Sequence, residues 1–355
     1  MSTWEGNPQQ TFSSILSGYN IENVEIIGKV LLKGNANFDN WWNDCKVKNT
    51  AWRPKSIFFN NCKSITVHGL EIYDSPSWSV HPFYCENMKF LDLYINNPKV
   101  SPNTDGINPE SCKELEINGC RFNLGDDCIA IKSGKIYMAN EYYQPTIGVK
   151  IVNCKMEHGH GAIVFGSEIA CGVKDLYVAN CYFNETDRGF RVKTRRGRGE
   201  KSIIDNIMFQ NIIMDKVKTP ITLNSYYNCD PDGNSDYVAS KEAIGNKSDI
   251  PTLGSFYFDN LQCNDLSHAV CVAYGLPENF IEKIVITNSK FNFSKVKETG
   301  EPLMMREALN IEQELINLLN VKSFELDGNK FSNIKSSNTT LVNINEMKES
   351  NNEYS

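Results

Sequence analysis

The sequence predicts an all-β chain wound as a single-stranded, right-handed parallel β-helix, with short strands stacked coil upon coil. Three observations predict it. One eleven-residue frame recurs along the chain, its fourth, sixth and eleventh positions are apolar, and its eighth is Gly, Asn or Asp.

The frame reads Cys62-Lys-Ser-Ile65-Thr-Val67-His-Gly69-Leu-Glu-Ile72 in one copy and Cys112-Lys-Glu-Leu115-Glu-Ile117-Asn-Gly119-Cys120-Arg-Phe122 in another. A third begins at Val173, and others begin near Ile21, Cys85, Thr146, Ile204, Leu253, Ile281 and Val321. Apolar residues two apart mark a strand with one buried face. The eighth positions are Gly28, Gly69, Asp92, Gly119, Asn153, Asn180, Asn211, Asn260, Asn288 and Gly328. Such residues supply the backbone freedom of a sharp bend. Copies start roughly 23 to 49 residues apart, and the shorter intervals match one coil of a solenoid. A coil cannot bury its apolar face alone, so residues 1–355 are read as one domain, with a polar tail from about 340 to 355. The L-x-x-L-x-L pattern of a leucine-rich repeat is absent.

Cysteines hold fixed places in the frame. Cys62, Cys85 and Cys112 take the first position; Cys120, Cys154 and Cys181 take the ninth. Stacking aligns them into ladders of small buried hydrophobes. No C-x-x-C pair supports a zinc site, while Cys229, Cys263 and Cys271 stay open to pairing.

Composition narrows the function classes. A net charge of −7 argues against a nucleic-acid partner, which needs a basic face, but permits an anionic ligand in a local basic cleft. No run of about 18 apolar residues marks a membrane span. The chain starts without a signal-like segment, which fits an intracellular protein, a mature secreted chain or a truncated product alike. Localisation and oligomeric state are left unassigned.

The chemistry lies in second strands too polar for core duty. Asn103-Thr-Asp105-Gly-Ile and Gly125-Asp126-Asp127-Cys-Ile place two similar Asp-x-Ile patterns 22 residues apart, on adjacent coils. Asp105, Asp126 and Asp127 should then form one carboxylate group. Like charges that close raise at least one pKa, which keeps an acid protonated for proton donation. Asp126 and Asp127 point to different sides unless the backbone bends, and Gly125 is expected to permit the bend. The plainer readings are ordinary turns, or a calcium site. The following coils weigh against them. Gly159-His160-Gly161 and Arg191-Val-Lys193 come next, and alternation with Phe190 and Val192 puts both cations on one face. Arg195, Arg196 and Arg198 are read either as part of this positive floor or as a solvated loop or nucleic-acid patch. His160 is read as a site residue.

These motifs strongly resemble the polygalacturonase family of glycoside hydrolases, family 28, which is marked by N-T-D, G-D-D, G-H-G and R-x-K on successive coils. All four stand here in order, and the likeness runs from about Trp4 to Phe331, including Trp78 and His81-Pro82. The resemblance implies a pectin-lyase-like solenoid that hydrolyses α-1,4-galacturonosidic bonds of an acidic pectic polysaccharide or oligogalacturonide, with inversion. It implies Asp126 as general acid, Asp105 and Asp127 holding and deprotonating the water, and His160 assisting the acid. Arg191 and Lys193 would bind the substrate carboxylate, with Asn103, Glu168 and Tyr227 as further substrate contacts; Tyr226 leaves the last register open. Inverting geometry is expected to hold carboxyls roughly 6.5–9.5 Å apart. No metal or organic cofactor is implied. Gly166-Ser-Glu168 and Asp230-Pro-Asp-Gly look like the bacterial exo-acting branch, and the insertion from Asn228 to Thr252 would wall off one end of the cleft.

Members of that family usually begin with a capping helix and further coils. Their absence from this chain leads to the expectation of an exposed apolar end. A pectic lyase, a pectin esterase and a non-catalytic carbohydrate-binding β-helix are the alternatives. A lyase would want calcium and an arginine base, an esterase two aspartates with an arginine, and a binder aromatic platforms without three aspartates.

Overall fold

Frame positions four and six commit one strand face to burial, and these faces line up coil on coil. In the computed structural model, which describes residues 2–334 and 338–355, Glu22–Ile27 pairs in parallel with Lys63–His68, then Glu86–Leu91, Lys113–Asn118 and Thr146–Val152. The column continues through Val173–Asn184, Ile203–Asp215, Ser255–Leu266, Ile281–Thr287, Glu314–Asp327 and Thr339–Ser350. The register keeps the frame, so Ile65, Met88, Leu115, Val149, Leu176 and Ile207 stack in turn. A second column carries the eleventh positions, with Ile72, Ile95, Phe122 and Met156 in register.

All ten eighth positions have positive φ, from 50° at Asn288 to 153° at Gly28. The bend is therefore left-handed backbone, which favours Gly and then Asn or Asp. The asparagines also bond up the stack: Asn153 Nδ2 donates to Asn118 Oδ1 at 2.9 Å, and Asn260 Nδ2 to Asn211 Oδ1 at 2.8 Å. A second left-handed position stands at the third place of the frame, at Ser64, Asn87, Glu114, Asp175 and Asn206. Its varied residue types hide it from a reading by composition.

The third column holds the site. Leu16–Tyr19, Ile57–Asn60 and Val80–Phe83 pair in parallel. Single bridges carry the column from Val80 to Ile107 and from Ile107 to Ile129. It then runs through Ile129–Ile131, Lys155–Phe165, Thr186–Lys193, Thr219–Asn224 and Ala269–Tyr274. Inside the three columns one buried cluster extends from Ile57 to Phe331.

The six ladder cysteines are buried free thiols. Cys62 N donates to Cys85 Sγ at 3.5 Å and Cys154 N to Cys181 Sγ at 3.4 Å. The neighbouring thiol of Cys120 and burial hold Cys154 above its ordinary pKa, so packing is its role. Cys229, Cys263 and Cys271 are free as well. The stretch read as a polar tail is instead a coil: Thr339–Ser350 and Glu353–Tyr354 continue the first two columns. Its side chains are mostly exposed because no described strand stacks beyond them, while Ile344 and Met347 pack against the core.

Candidate active site

Backbone hydrogen bonds fix the level of each polar stretch. Ser79 N donates to Asp105 O at 2.8 Å, Gly106 N to Asp127 O at 3.0 Å, and Cys128 N to Gly161 O at 2.8 Å. Asp105, the Asp126–Asp127 pair and His160 therefore occupy three successive coils, and Arg191 and Lys193 the next. Gly125 works differently from expectation. Its φ is not left-handed, but a Cβ there would stand 2.5 Å from Ser101 O and 2.6 Å from Pro98 O. Glycine is needed for close approach of two backbones rather than for a bend.

The three aspartates converge, each offering an oxygen within 4.8 Å of the others. Each aspartate has its own cation. Lys132 Nζ lies 3.9 Å from Asp105 Oδ2, His160 Nδ1 3.5 Å from Asp126 Oδ1, and Lys193 Nζ 2.8 Å from Asp127 Oδ2. Asp105 and Asp127 are buried, Asp126 is partly open and His160 is half exposed.

Environment separates the three groups. Burial, and then the Asp126 charge, push Asp105 well above the usual carboxylate range, with Lys132 opposing. Burial also works against ionised Asp126, but the His160 hydrogen bond and charge outweigh it and hold that carboxyl low. The same bond, against burial, lifts His160 to about 8. The proton of the Asp126–His160 pair therefore sits towards the imidazole, and the surroundings of Asp105 favour its neutral form.

The expected contacts divide in two groups. Asn103, Asp105, Asp126, Asp127, Glu168, Lys193 and Tyr227 all line one cavity of about 630 Å³; His160 and Arg191 do not line it. Arg191 is buried, and its Nη2 has no hydrogen-bond partner among the described residues. Asn103 Oδ1 accepts from Arg53 Nη2 at 2.6 Å, which fixes the turn entering Asp105. Tyr227, not Tyr226, faces the cavity, with Lys193 Nζ 5.8 Å from its ring centre. Tyr226 is fully buried and donates its hydroxyl to Gly275 O at 3.0 Å.

Sequence reading missed several lining residues. Lys132 stands beside Asp105, Lys135 pairs with Asp230 at 2.7 Å, and Trp4, Trp52 and Trp78 stack along one side. Alternation after Asp127 does reveal Lys132: Ile129 and Ile131 enter the core, so Lys132 takes the other face. Trp4 and Trp78 fall within the stretch that resembles the family but carry no role there, and nothing local marks Trp52.

The basic run is neither a solvated loop nor a free patch. Arg196 is fully buried, forking onto Glu278 at 3.0 and 3.1 Å and donating to the carbonyls of Tyr237, Ser240 and Glu242. Arg195 pairs with Asp232 at 2.8 Å and Arg198 with Asp230 at 3.0 Å. These arginines fasten the Asn228–Thr252 insertion, whose residues 228–231 stand in the cavity wall beside Met304.

The profile of glycosyl hydrolases family 28 matches residues 2–241. The chain belongs to this family. It is 29% identical over 286 residues to a probable polygalacturonase of Vitis vinifera, covering 78% of this chain and 54% of that one. It is 32% identical over 220 residues to a polygalacturonase of Malus domestica, covering 59% and 44%. The chain spans about half the length of the curated relatives it matches. Among solved structures it is similar to an exopolygalacturonase of Thermotoga maritima, with a TM-score of 0.73 at 24% identity over 88% of this chain and 77% of that one. A polygalacturonase of Erwinia carotovora gives a TM-score of 0.58 at 18% identity, over 97% and 72%. At these identities the likeness is one of fold, and it agrees with the parallel β-helix that positions the family 28 motifs here.

Proposed function

We propose that this chain hydrolyses α-1,4-galacturonosidic bonds of an acidic pectic polysaccharide or oligogalacturonide, by inverting acid–base chemistry. One observation carries the proposal: three converging carboxylates, each with its own cation, in one cavity. The Asp126–His160 pair keeps a proton for the departing glycosidic oxygen. Asp105 and Asp127 hold the attacking water, and the ionised form of Asp105, its own proton released to solvent, receives the proton of the water. Lys193 and Tyr227, which line the cavity, take the uronate carboxylate, with Asn103 as a further contact, while Arg191 is buried outside that lining on the same strand as Lys193. No divalent cation is invoked, since each of the three acids already faces a cation, Lys132, His160 or Lys193.

Action from a chain end is the narrower proposal. Segments from outside the repeat stand around the cavity: Trp4 and Glu5, Lys46 and Trp52, residues 228–231, and Met304. The first and third of these are tied to one lysine, for Lys135 N donates to Gly6 O at 3.0 Å and Lys135 Nζ reaches Asp230. Such walls favour a short chain end over a long polymer threaded through.

The test is reducing-end release from polygalacturonate by the chain and by Asp126→Asn, with the products' ultraviolet spectrum recorded. Loss of about 100-fold or more in the variant, without unsaturated product, is the expected result for a general acid. Unsaturated product would overturn hydrolysis in favour of elimination. A well-folded chain that binds without cleaving would overturn catalysis altogether.

A further inference from the structure

Two of the three cations at the aspartates belong to motifs with a role in the reading above. Lys132 does not. Its side chain is only 6% exposed, and its Nζ lies 4.4 Å from the Trp78 ring centre and 3.2 Å from Glu168 Oε2. Asp105 Oδ2, at 3.9 Å, is beyond hydrogen-bond range but within strong Coulombic reach. Backbone closes over the pair: a Cβ at Gly166 would stand 2.7 Å from Glu168 Oε2 and 3.0 Å from Lys132 Nζ. Glu168 is thus an anchor and Trp78 a floor, and the ammonium is held where its remaining charge falls on Asp105.

Asp105 needs that charge. Facing it are Asp126 and Asp127 from the next coil, with Lys193 beyond them and Arg53 from the segment before Ile57. Lys193 is committed to Asp127 at 2.8 Å, and Arg53 to Asn103 and to the carbonyls of Pro76 and Pro102. Lys132 in turn faces Glu168, Asp105, Asp127 and Glu110. Glu110 is spoken for by His81, 2.9 Å away in the buried layer below, and burial pushes it up to about 8, so near neutrality it draws little on Lys132.

We propose that Lys132 is a positioning residue: anchored by Glu168 on the Trp78 ring, it keeps Asp105 able to ionise beside two other carboxylates, and so available as the base. The inference rests on the reading of Asp105 as a water-holding carboxylate, and it reassigns Glu168 from substrate contact to anchor of the lysine.

The experiment compares the pH dependence of kcat/KM on polygalacturonate for the wild type, Lys132→Met, Lys132→Arg and Glu168→Gln. Lys132→Met should move the acidic limb up by roughly one pH unit, since an opposite charge at this distance lowers a carboxyl by that order. KM near the optimum should stay close to that of the wild type, and Lys132→Arg should restore the limb. Glu168→Gln should move the limb down, because the freed ammonium can close on Asp105. An unmoved limb with raised KM in Lys132→Met would overturn the proposal and make the lysine a substrate contact. An upward shift in Glu168→Gln would overturn the anchor. Should Lys132→Met not fold, Lys132→Arg and Glu168→Gln still decide. Titration of ¹³C-labelled aspartate carboxyls in the wild type and Glu168→Gln needs no turnover. It tests Lys132 even where the absence of hydrolysis has already removed the proposed activity; an Asp105 resonance that titrates alike in both sinks the inference.

Discussion

Lys193 Nζ stands 2.8 Å from Asp127 Oδ2 although the coil bearing His160 lies between their coils. The pair is buried, at 12% and 3% side-chain exposure, so it ties one wall of the site to its floor. Removing one partner strands the other charge in a poorly solvated place. Lys193→Met should therefore cost about 3 kcal/mol in unfolding free energy and lower kcat/KM at least about 100-fold. Asp127→Asn with Lys193→Met should recover part of the stability and none of the activity. Denaturant unfolding and reducing-end assays on the three variants check this; full additivity of the two substitutions would contradict it.

The Asp126–His160 pair sets an alkaline limit. The folded chain holds the imidazolium proton more tightly than an unfolded chain, with a pKa raised from 6.5 to about 8. Its contribution to stability is therefore complete below about pH 6.5 and fades as pH rises through about 8. Asp105, also raised, has the same sign in a window that starts at its ordinary value of 3.8. kcat/KM should fall above about pH 8 as the pair loses its proton. In His160→Gln that limb should move to lower pH, since a carboxyl alone releases its proton earlier. A rate lowered equally at every pH would assign the histidine a structural role only.

Arg196 gives the insertion its rigidity. Five hydrogen bonds converge on a guanidinium that is fully buried. Lysine cannot reproduce the fork onto Glu278. Arg196→Lys should leave the coils folded but speed amide exchange across residues 228–249. If the fastened insertion restricts the cavity to chain ends, the products should change from single sugars towards mixed oligomers. Chromatography of early products decides this, and an unchanged pattern in a visibly loosened insertion would remove the wall from the account of exo action.

How much of this was legible in the sequence follows from the range of each cause. Strand columns were legible because Ile65, Val67 and Ile72 repeat a pattern whose period is the coil itself. The bends were legible at Gly69 or Asn153, where left-handed backbone selects its residues, and illegible at Ser64 or Glu114, where it does not. The aspartates, His160 and Lys193 travel in short motifs. Arg196, Trp52 and Met304 do not: their partners come from segments dozens of residues away, and only the fold brings Glu278 to Arg196 or Trp4 to Trp52. The last coil was misread because Thr339–Ser350 has few apolar residues, which an outermost strand can spare.

Chelation should leave the activity unchanged. Three carboxylates within 4.8 Å would attract a divalent cation if they stood alone. Here an ammonium, an imidazolium and a second ammonium lie within 4.0 Å of them, so an added dication meets little uncompensated charge. Assays with and without EDTA, then with added calcium, check this; a rate restored only by calcium would reopen elimination as the chemistry.

The stereochemical outcome is the sharpest remaining test of a water shared by Asp105 and Asp127. Inverting pairs leave room for a water between their carboxyls, whereas in retaining pairs one carboxylate attacks the sugar; here the nearest oxygens of the three acids come within 4.8 Å of one another. That spacing still admits a water. Two oxygens no more than 4.8 Å apart can each accept a hydrogen bond of about 2.8 Å from one molecule, at an angle of up to about 120°. Asp127 is poorly placed to act as a nucleophile, since Lys193 engages its Oδ2 at 2.8 Å. That suits a shared water better than a covalent bond to the sugar. Hydrolysis of the α-linkage should then release the β-anomer first, seen by ¹H NMR before mutarotation mixes the forms. The α-anomer first would mean that one of these aspartates attacks the sugar directly, and the shared-water arrangement would have to be abandoned.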